Sequence, residues 1–135
     1  MRIAFTSSDG STVDQHFGAT RDFKVWEVGP DAAREVGTIT ALAASDDEED
    51  RIAARANAIA GCAIVYTVAI GGPAAAKLVA RKIHPLQTGI AVPIAEVVSK
   101  LQQVLRGTPP PWLRKAMNGG AAAAPADERR RGDAR

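Results

Sequence analysis

The feature that most limits the possible folds is the segment Cys62–Ile70, CAIVYTVAI, which is almost entirely apolar. It is too short to span a bilayer and has the length of a long β-strand. A strand that is apolar on both faces must be covered on both faces, as in the middle of a sheet flanked by helices. Gly71-Gly72-Pro73 follows it, and proline suits the first turn of the helix predicted over 74–82. The segment therefore predicts an α/β fold.

The rest of the chain supplies the other elements of such a sheet. Apolar runs and alternation predict strands, and helical spacing predicts two more helices: strands at 3–5, 23–28, 34–42 and 83–88, and helices at 45–60 and 93–107. Helical crossovers make the first, fourth and fifth strands parallel, while a short connection makes the third antiparallel to the second. Pro85 indicates that the last strand lies at an edge. We predict a mixed five-stranded sheet with flanking helices.

Length and composition fit one domain. The chain has 135 residues, 46% of them hydrophobic, which suffices for a single core. We place the domain at 1–118 and predict that 119–135, GGAAAAPADERRRGDAR, is disordered, because it lacks any core-forming pattern. No apolar run is long enough to cross a membrane, and the N-terminus enters a strand at once instead of showing a secretory pattern. We therefore expect a cytoplasmic protein with no membrane partner.

The first predicted strand ends in a polar loop whose tip is Gln15-His16-Phe17-Gly18. A neutral imidazole nitrogen of His16 could face an incoming ligand there. Alternatively, His16 caps a turn or packs on Phe17. Function concentrates on loops, but loops are common, so both interpretations stay open.

The Gly71-Gly72 turn is a second candidate. Backbone N–H groups at a helix start can cradle an anion, and glycine permits close approach. A simple tight turn is the alternative, since neither a dinucleotide fingerprint nor a P-loop lysine pattern is present. Both loops follow the carboxyl ends of neighbouring parallel strands, so we expect them to meet. Cys62, at the other end of its strand and about 26 Å from Ile70 at about 3.3 Å per residue, should not share a ligand with His16.

The net charge of +2 hides an uneven distribution. Five acidic residues at 46–50 fall in the first turn of the helix that Ser45 would cap, where negative charge is favoured. They could instead form a docking patch for a protein. The rest of 1–118 carries 13 basic and seven acidic residues, or +6. The basic residues are scattered and lack an RNA-binding aromatic signature, so we expect a small anionic ligand and no nucleic acid.

Cysteine and carboxylate counts limit the chemistry. The single cysteine, Cys62, excludes an internal disulfide and an all-cysteine cluster cage within one chain, and we expect it to be a buried core residue. No serine or cysteine has an evident base, and Asp9 and Asp14 are too few for a two-metal nuclease site. The sequence therefore predicts no catalytic residues.

The segments IAFTSSDG, DQHFG, GCAIVYTVAIGGPAAAKLV and IHPLQ, in this order, resemble the NifX branch of the dinitrogenase iron-molybdenum cofactor biosynthesis family, which includes NafY and the C-terminal part of NifB. The resemblance covers about residues 1–115, and the combination of HFG with IGGPAAAKL is specific. It implies a ribonuclease H-like α/β fold without nuclease activity. It also implies a non-catalytic carrier that passes an iron-sulfur precursor of the iron-molybdenum cofactor between assembly proteins, such as NifB and a NifEN-type scaffold.

The family's cofactor-binding histidine maps onto His16, which becomes the predicted metal ligand. The predicted cofactor-binding residues are His16, Phe17, Gly18, Gly71 and Gly72. Cys62 and His84 also match family positions, although the sheet geometry places them at the far edge. The alternative function is an interaction module or chaperone for an assembly partner that binds no cluster itself.

Overall fold

The fold is a mixed sheet with helices on both faces. The computed structural model describes residues 1–43 and 45–119. Its elements, in chain order, are β1 (Arg2–Thr6), β2 (Thr12–Val13), β3 (Asp22–Val28), β4 (Ala33–Thr40), α1 (Glu48–Ala58), β5 (Ile64–Thr67), α2 (Gly72–Ala80), β6 (His84–Gln87), β7 (Val92–Pro93), α3 (Ile94–Arg106) and α4 (Pro111–Gly119). No helix among these residues is long and apolar enough to cross a membrane.

The main sheet has the strand order β4-β3-β1-β5-β6. β1, β5 and β6 are parallel, and β3 is antiparallel to both β1 and β4. Ile3 lies opposite Ile64 in the β1–β5 pair, and Val65 lies opposite Pro85 at the edge. This confirms the predicted ribonuclease H-like α/β arrangement, including the parallel set and the edge position of Pro85.

Two hydrophobic clusters cover the two faces of the sheet. Val65 points to the face covered by α1 and α2, where it packs with Ile59 and Leu78. Ile64 points to the opposite face, where it packs with Leu101 of α3 and Leu113 of α4. Because the side chains of adjacent residues in β5 point into hydrophobic cores on opposite faces of the sheet, both residues must be apolar. The predicted central position of this segment is therefore confirmed.

The central strand is shorter than predicted. β5 covers Ile64–Thr67 and not Cys62–Ile70. The Cys62 N–H donates to the carbonyl of Ile59 at 3.0 Å, so Cys62 lies in the turn that precedes the strand. At the other end, Val68 N–H donates to Gln15, which belongs to a loop and not to a neighbouring strand. An apolar run in the sequence predicts burial on both faces of the sheet. It does not show where the hydrogen-bonded pairing with the neighbouring strands ends.

Cys62 is nevertheless buried as predicted, with 3% of its surface exposed. Burial raises the pKa of its thiol to about 11, so it stays a neutral, weakly polar group. We expect Cys62→Ser to lower the free energy of unfolding by about 1–3 kcal/mol, because a hydroxyl is costlier to bury without a partner. Urea denaturation of this variant and of Cys62→Ala, which adds no polar group, measures the difference. Equal stability of the serine variant and the wild type would contradict burial of the thiol.

The N-cap of the first helix lies two residues later than predicted. Asp47, and not Ser45, is its N-cap, and its carboxylate accepts from the N–H groups of Glu49 at 3.1 Å and Asp50 at 3.3 Å. Ser45 instead donates its hydroxyl to the Asp50 carboxylate at 2.6 Å. Both residue types cap helices well, so the sequence alone does not choose between them. Of the five acidic residues predicted in the first turn, Glu48, Glu49 and Asp50 lie there, while Asp47 is the cap and Asp46 precedes it.

Three short elements were not predicted. β2 and β7 pair with each other as a separate two-stranded ribbon, and two residues per strand are too few to show a period. α4 begins at Pro111, a residue that suits the first turn of a helix. Leu113 is 2% exposed, which confirms that this segment folds back onto the body. Gly119 ends α4, and the rest of the predicted tail lies outside the described residues.

Candidate functional site

The loop that carries His16 is clamped to the carboxyl ends of two parallel strands. Thr6 ends β1 and Thr67 ends β5, and both are fully buried. Their hydroxyls donate to the carbonyl of Gln15 at 2.8 and 3.0 Å. These two threonines were not singled out from the sequence, although a threonine that ends each of two parallel strands beside a polar loop is a recognisable signal.

Phe17 anchors the same loop from the other side. Its N–H donates to the carbonyl of Ala69 at 2.9 Å, just beyond β5. Its ring has no exposed surface and packs against Phe23, with ring centroids 5.8 Å apart. Phe17 is a predicted cofactor-binding residue. Its buried ring cannot reach a ligand at the surface, and only its backbone lies near the outer side of the loop.

His16 stands between these fixed points. Its side chain is exposed, and within the described residues it makes no hydrogen bond. Its carbonyl accepts from the N–H groups of Ala19 and Thr20, both at 3.0 Å, which closes a tight turn after the imidazole. The turn therefore uses the His16 backbone, while the ring is left facing solvent.

The predicted meeting of the two glycine-bearing loops is seen in a small pocket of about 120 Å³. Gly18 from the first loop and Gly71 from the second both line it. His16 and Gly72 are not on its wall. Gly71 is the N-cap of α2, has extended backbone, and makes no side-chain cap. The uncapped, positive end of α2 therefore opens beside the histidine loop.

Two arginines of α1 complete the pocket wall. Arg51 and Arg55 line it together with Glu48. Both arginines lie within about one helical turn of the acidic residues at 46–50, but within residues 1–43 and 45–119 neither forms an ion pair. Arg55 is instead 9% exposed and donates through Nε to the carbonyl of Thr20 at 2.8 Å. The sequence did offer a signal for this role, since Arg55 lies among the apolar residues of α1. A charged side chain on the core-facing side of a helix is rarely buried unless it has hydrogen-bond partners there.

Arg55 is electrostatically unusual. Burial and, to a smaller extent, the nearby charge of Arg51 lower the pKa of its guanidinium. Arginine stays charged even so, so this corner of the protein holds a partly desolvated positive charge.

The two carboxylates close to the loop are structural. Asp9 accepts from the N–H groups of Ser11 at 2.8 Å and Thr12 at 2.9 Å, and these bonds lower the pKa of its carboxyl. Asp14 accepts from the N–H of Ser8 at 2.9 Å. Both carboxylates hold the turn that precedes the His16 loop. In the described part of the chain, no group of three or more His, Cys, Asp or Glu side chains is arranged to hold a metal ion.

His84 lies at the other edge of the sheet, as expected. It begins β6 opposite Ile64, the first residue of β5. Its ring stacks on Trp112 of α4, with centroids 3.9 Å apart, and burial lowers the pKa of its imidazole. His84 therefore packs α4 against the sheet, and both it and Cys62 are separated from His16 by the length of β5.

The chain is similar to proteins of one known family over most of its length. The model of the family described as dinitrogenase iron-molybdenum cofactor matches residues 1–104. The chain belongs to this family. NifX of Herbaspirillum seropedicae is 43% identical, over 89% of this chain and 84% of its own length. NifX of Rhodobacter capsulatus is 38% identical, over 87% of this chain and 77% of its own.

NifY of Azotobacter vinelandii is 40% identical over 87% of this chain, which spans 48% of the NifY sequence. The crystal structure of PH0822 superposes with a TM-score of 0.62 at 23% identity, over 76% of this chain and 91% of that one. At this identity the likeness supports the fold alone. Membership of the iron-molybdenum cofactor family confirms the resemblance seen in the sequence and associates the chain with biosynthesis of the nitrogenase cofactor.

Proposed function

We propose that this protein carries an iron-sulfur precursor of the iron-molybdenum cofactor and that His16 is its metal ligand. The observation that carries the proposal is the exposed imidazole at the tip of a loop whose two sides are clamped to β1 and β5. A ligand on a rigid support needs little ordering when cargo binds, which favours affinity. Family membership supplies the chemical class of the cargo.

The surroundings of His16 suit a negatively charged cargo. The N-terminus of α2 has no acidic residue in its first turn, and Arg51 and Arg55 lie beside it. Their combined positive potential would offset the charge of an iron-sulfur cluster at the loop. Gly18, Gly71 and Gly72 keep backbone N–H groups accessible, while Phe17 holds the loop in place. A single imidazole ligand, rather than a closed cage, suits cargo that must be released again.

In this proposal the protein is a non-catalytic, cytoplasmic carrier that exchanges its cargo with assembly proteins such as NifB and a NifEN-type scaffold. The residues near His16 act by binding and by charge, and none is assigned a proton-transfer or nucleophilic role. An interaction module that binds no cluster is the competing function, and it makes the opposite prediction about metal.

Anaerobic purification separates the two functions. We expect the protein, mixed with precursor cluster and passed over a desalting column, to retain iron and sulfide with a visible charge-transfer absorption. The same treatment of a heat-unfolded sample controls for adventitious adsorption. A folded protein that leaves the column free of iron and sulfide would favour the interaction module and contradict the carrier.

A further inference from the structure

We propose that the pocket between α1 and α2 is a binding site for a small tetrahedral oxyanion of the phosphate class. Its wall brings together Arg51 and Arg55 of α1, Gly18 of the first loop, and Gly71 with Ala74 at the start of α2. The site is separate from the imidazole of His16, which is not on this wall. In the proposed carrier function the same two arginines offset the charge of a cluster bound at His16. The phosphate site itself needs no metal, and in this respect it goes beyond the carrier function.

Arg55 is the first observation that points to an anion. Nine-tenths of the residue is buried, and two of its guanidinium nitrogens are used by the protein. Nε donates to Thr20 and Nη1 donates to Arg51, in both cases to a backbone carbonyl. Nη2 makes no hydrogen bond within the described residues, and it keeps some surface accessible to solvent. The bonds of Nε and Nη1 thus fix the guanidinium of this pocket-lining residue and leave Nη2 available.

The charge balance of the wall is the second observation. Two arginines line the pocket, and within the described residues neither has a carboxylate partner within ion-pair distance. Glu48 also borders the pocket, but it is exposed at the first turn of α1 and pairs with neither arginine. The wall thus keeps a net positive charge beside a partly desolvated arginine, an arrangement that a bound anion relieves.

The start of α2 supplies neutral donors for the same anion. Its N-cap, Gly71, offers no side chain to the first turn, and the first turn contains no acid. Pro73 has no N–H and Gly72 is not on the pocket wall, so the N–H groups that this end of α2 offers the pocket are those of Gly71 and Ala74. Backbone donors at a helix start, together with arginine forks, are the usual partners of oxyanions in proteins.

The glycines explain why the pocket is open. Neither Gly18 nor Gly71 has the positive φ that requires glycine. A Cβ at Gly18 would meet nothing within 4 Å, and one at Gly71 would meet only the Pro73 ring at 4.0 Å. A side chain at either position would therefore fit the backbone but project into free space at the pocket. The volume of about 120 Å³ is large enough to hold a small oxyanion.

Calorimetric titration with inorganic phosphate tests this site. The metal-free protein should bind one phosphate per chain at constant ionic strength, with chloride as the balancing anion. Arg51→Gln should weaken binding about tenfold or more, since a charge-assisted hydrogen bond to the anion is lost. Arg51 is exposed, so the variant should fold normally. Gly71→Val should also abolish binding by filling the pocket.

Arg114→Gln is the matched control. It removes one exposed arginine from α4, on the opposite face of the sheet, and should leave phosphate affinity unchanged. Circular dichroism confirms that each variant is folded. Absence of saturable phosphate binding by the wild type, or equal affinity of Arg51→Gln and Arg114→Gln, overturns the proposal. Since the titration contains no metal, this result is independent of whether the protein carries a cluster.

Discussion

Phe17→Ala should lower the free energy of unfolding by about 3–5 kcal/mol, the usual cost of removing a buried aromatic ring. The ring is fully buried against Phe23, and its loss leaves a cavity beneath the His16 loop. Domains are stable by only about 5–15 kcal/mol, so this single change removes a large fraction of the total. Urea denaturation followed by circular dichroism measures it.

Phe17→Leu is the control for this experiment. It keeps most of the buried volume, so the loss of stability should be clearly smaller than for alanine. Because the ring does not reach the surface, the folded leucine variant should also retain cluster uptake. A folded Phe17→Leu protein that binds no cluster would instead show that the ring itself contacts the cargo.

The order and direction of the main strands could be predicted because they follow from periods and connection lengths. An apolar run such as 62–70 fixes a central strand, and a helical connection fixes a parallel neighbour. The ends of β5 could not be predicted, since Val68 leaves the ladder only to bond Gln15, a residue more than fifty positions earlier. Contacts of this kind depend on the assembled fold, which a local pattern does not contain.

The same distinction applies to the candidate site. The convergence of the Gly18 and Gly71 loops follows from parallel strand ends, and the structure brings both residues to one pocket. The part played by Arg55 could not be predicted, because a helical arginine near several acids usually pairs with them. Here the loop after His16 brings the carbonyl of Thr20 close to α1. This carbonyl accepts a hydrogen bond from the Arg55 guanidinium, so the side chain turns toward the core. Tertiary hydrogen bonding outweighed the local charge pattern.

His16→Ala should weaken uptake of the iron-sulfur precursor by more than about tenfold, since even outer-shell partners of metal ligands are worth that much. The thermal midpoint should stay almost unchanged, because the ring is exposed and the turn uses only the His16 backbone. A metal ligand must be deprotonated. Uptake by the wild type should therefore also weaken as the pH is lowered and protons compete with the metal for the imidazole.

The second histidine of the chain provides a matched control for this substitution. His84 stacks on Trp112 at the far edge of the sheet, so His84→Ala should lower the thermal midpoint while cluster uptake per folded molecule stays near that of the wild type. Anaerobic titration of both variants and the wild type, followed by absorbance at several pH values, measures affinity, and circular dichroism measures stability. The two variants should thus show opposite effects. If His16→Ala binds the precursor as tightly as the wild type, His16 is not the ligand, and its loop is only a structural turn.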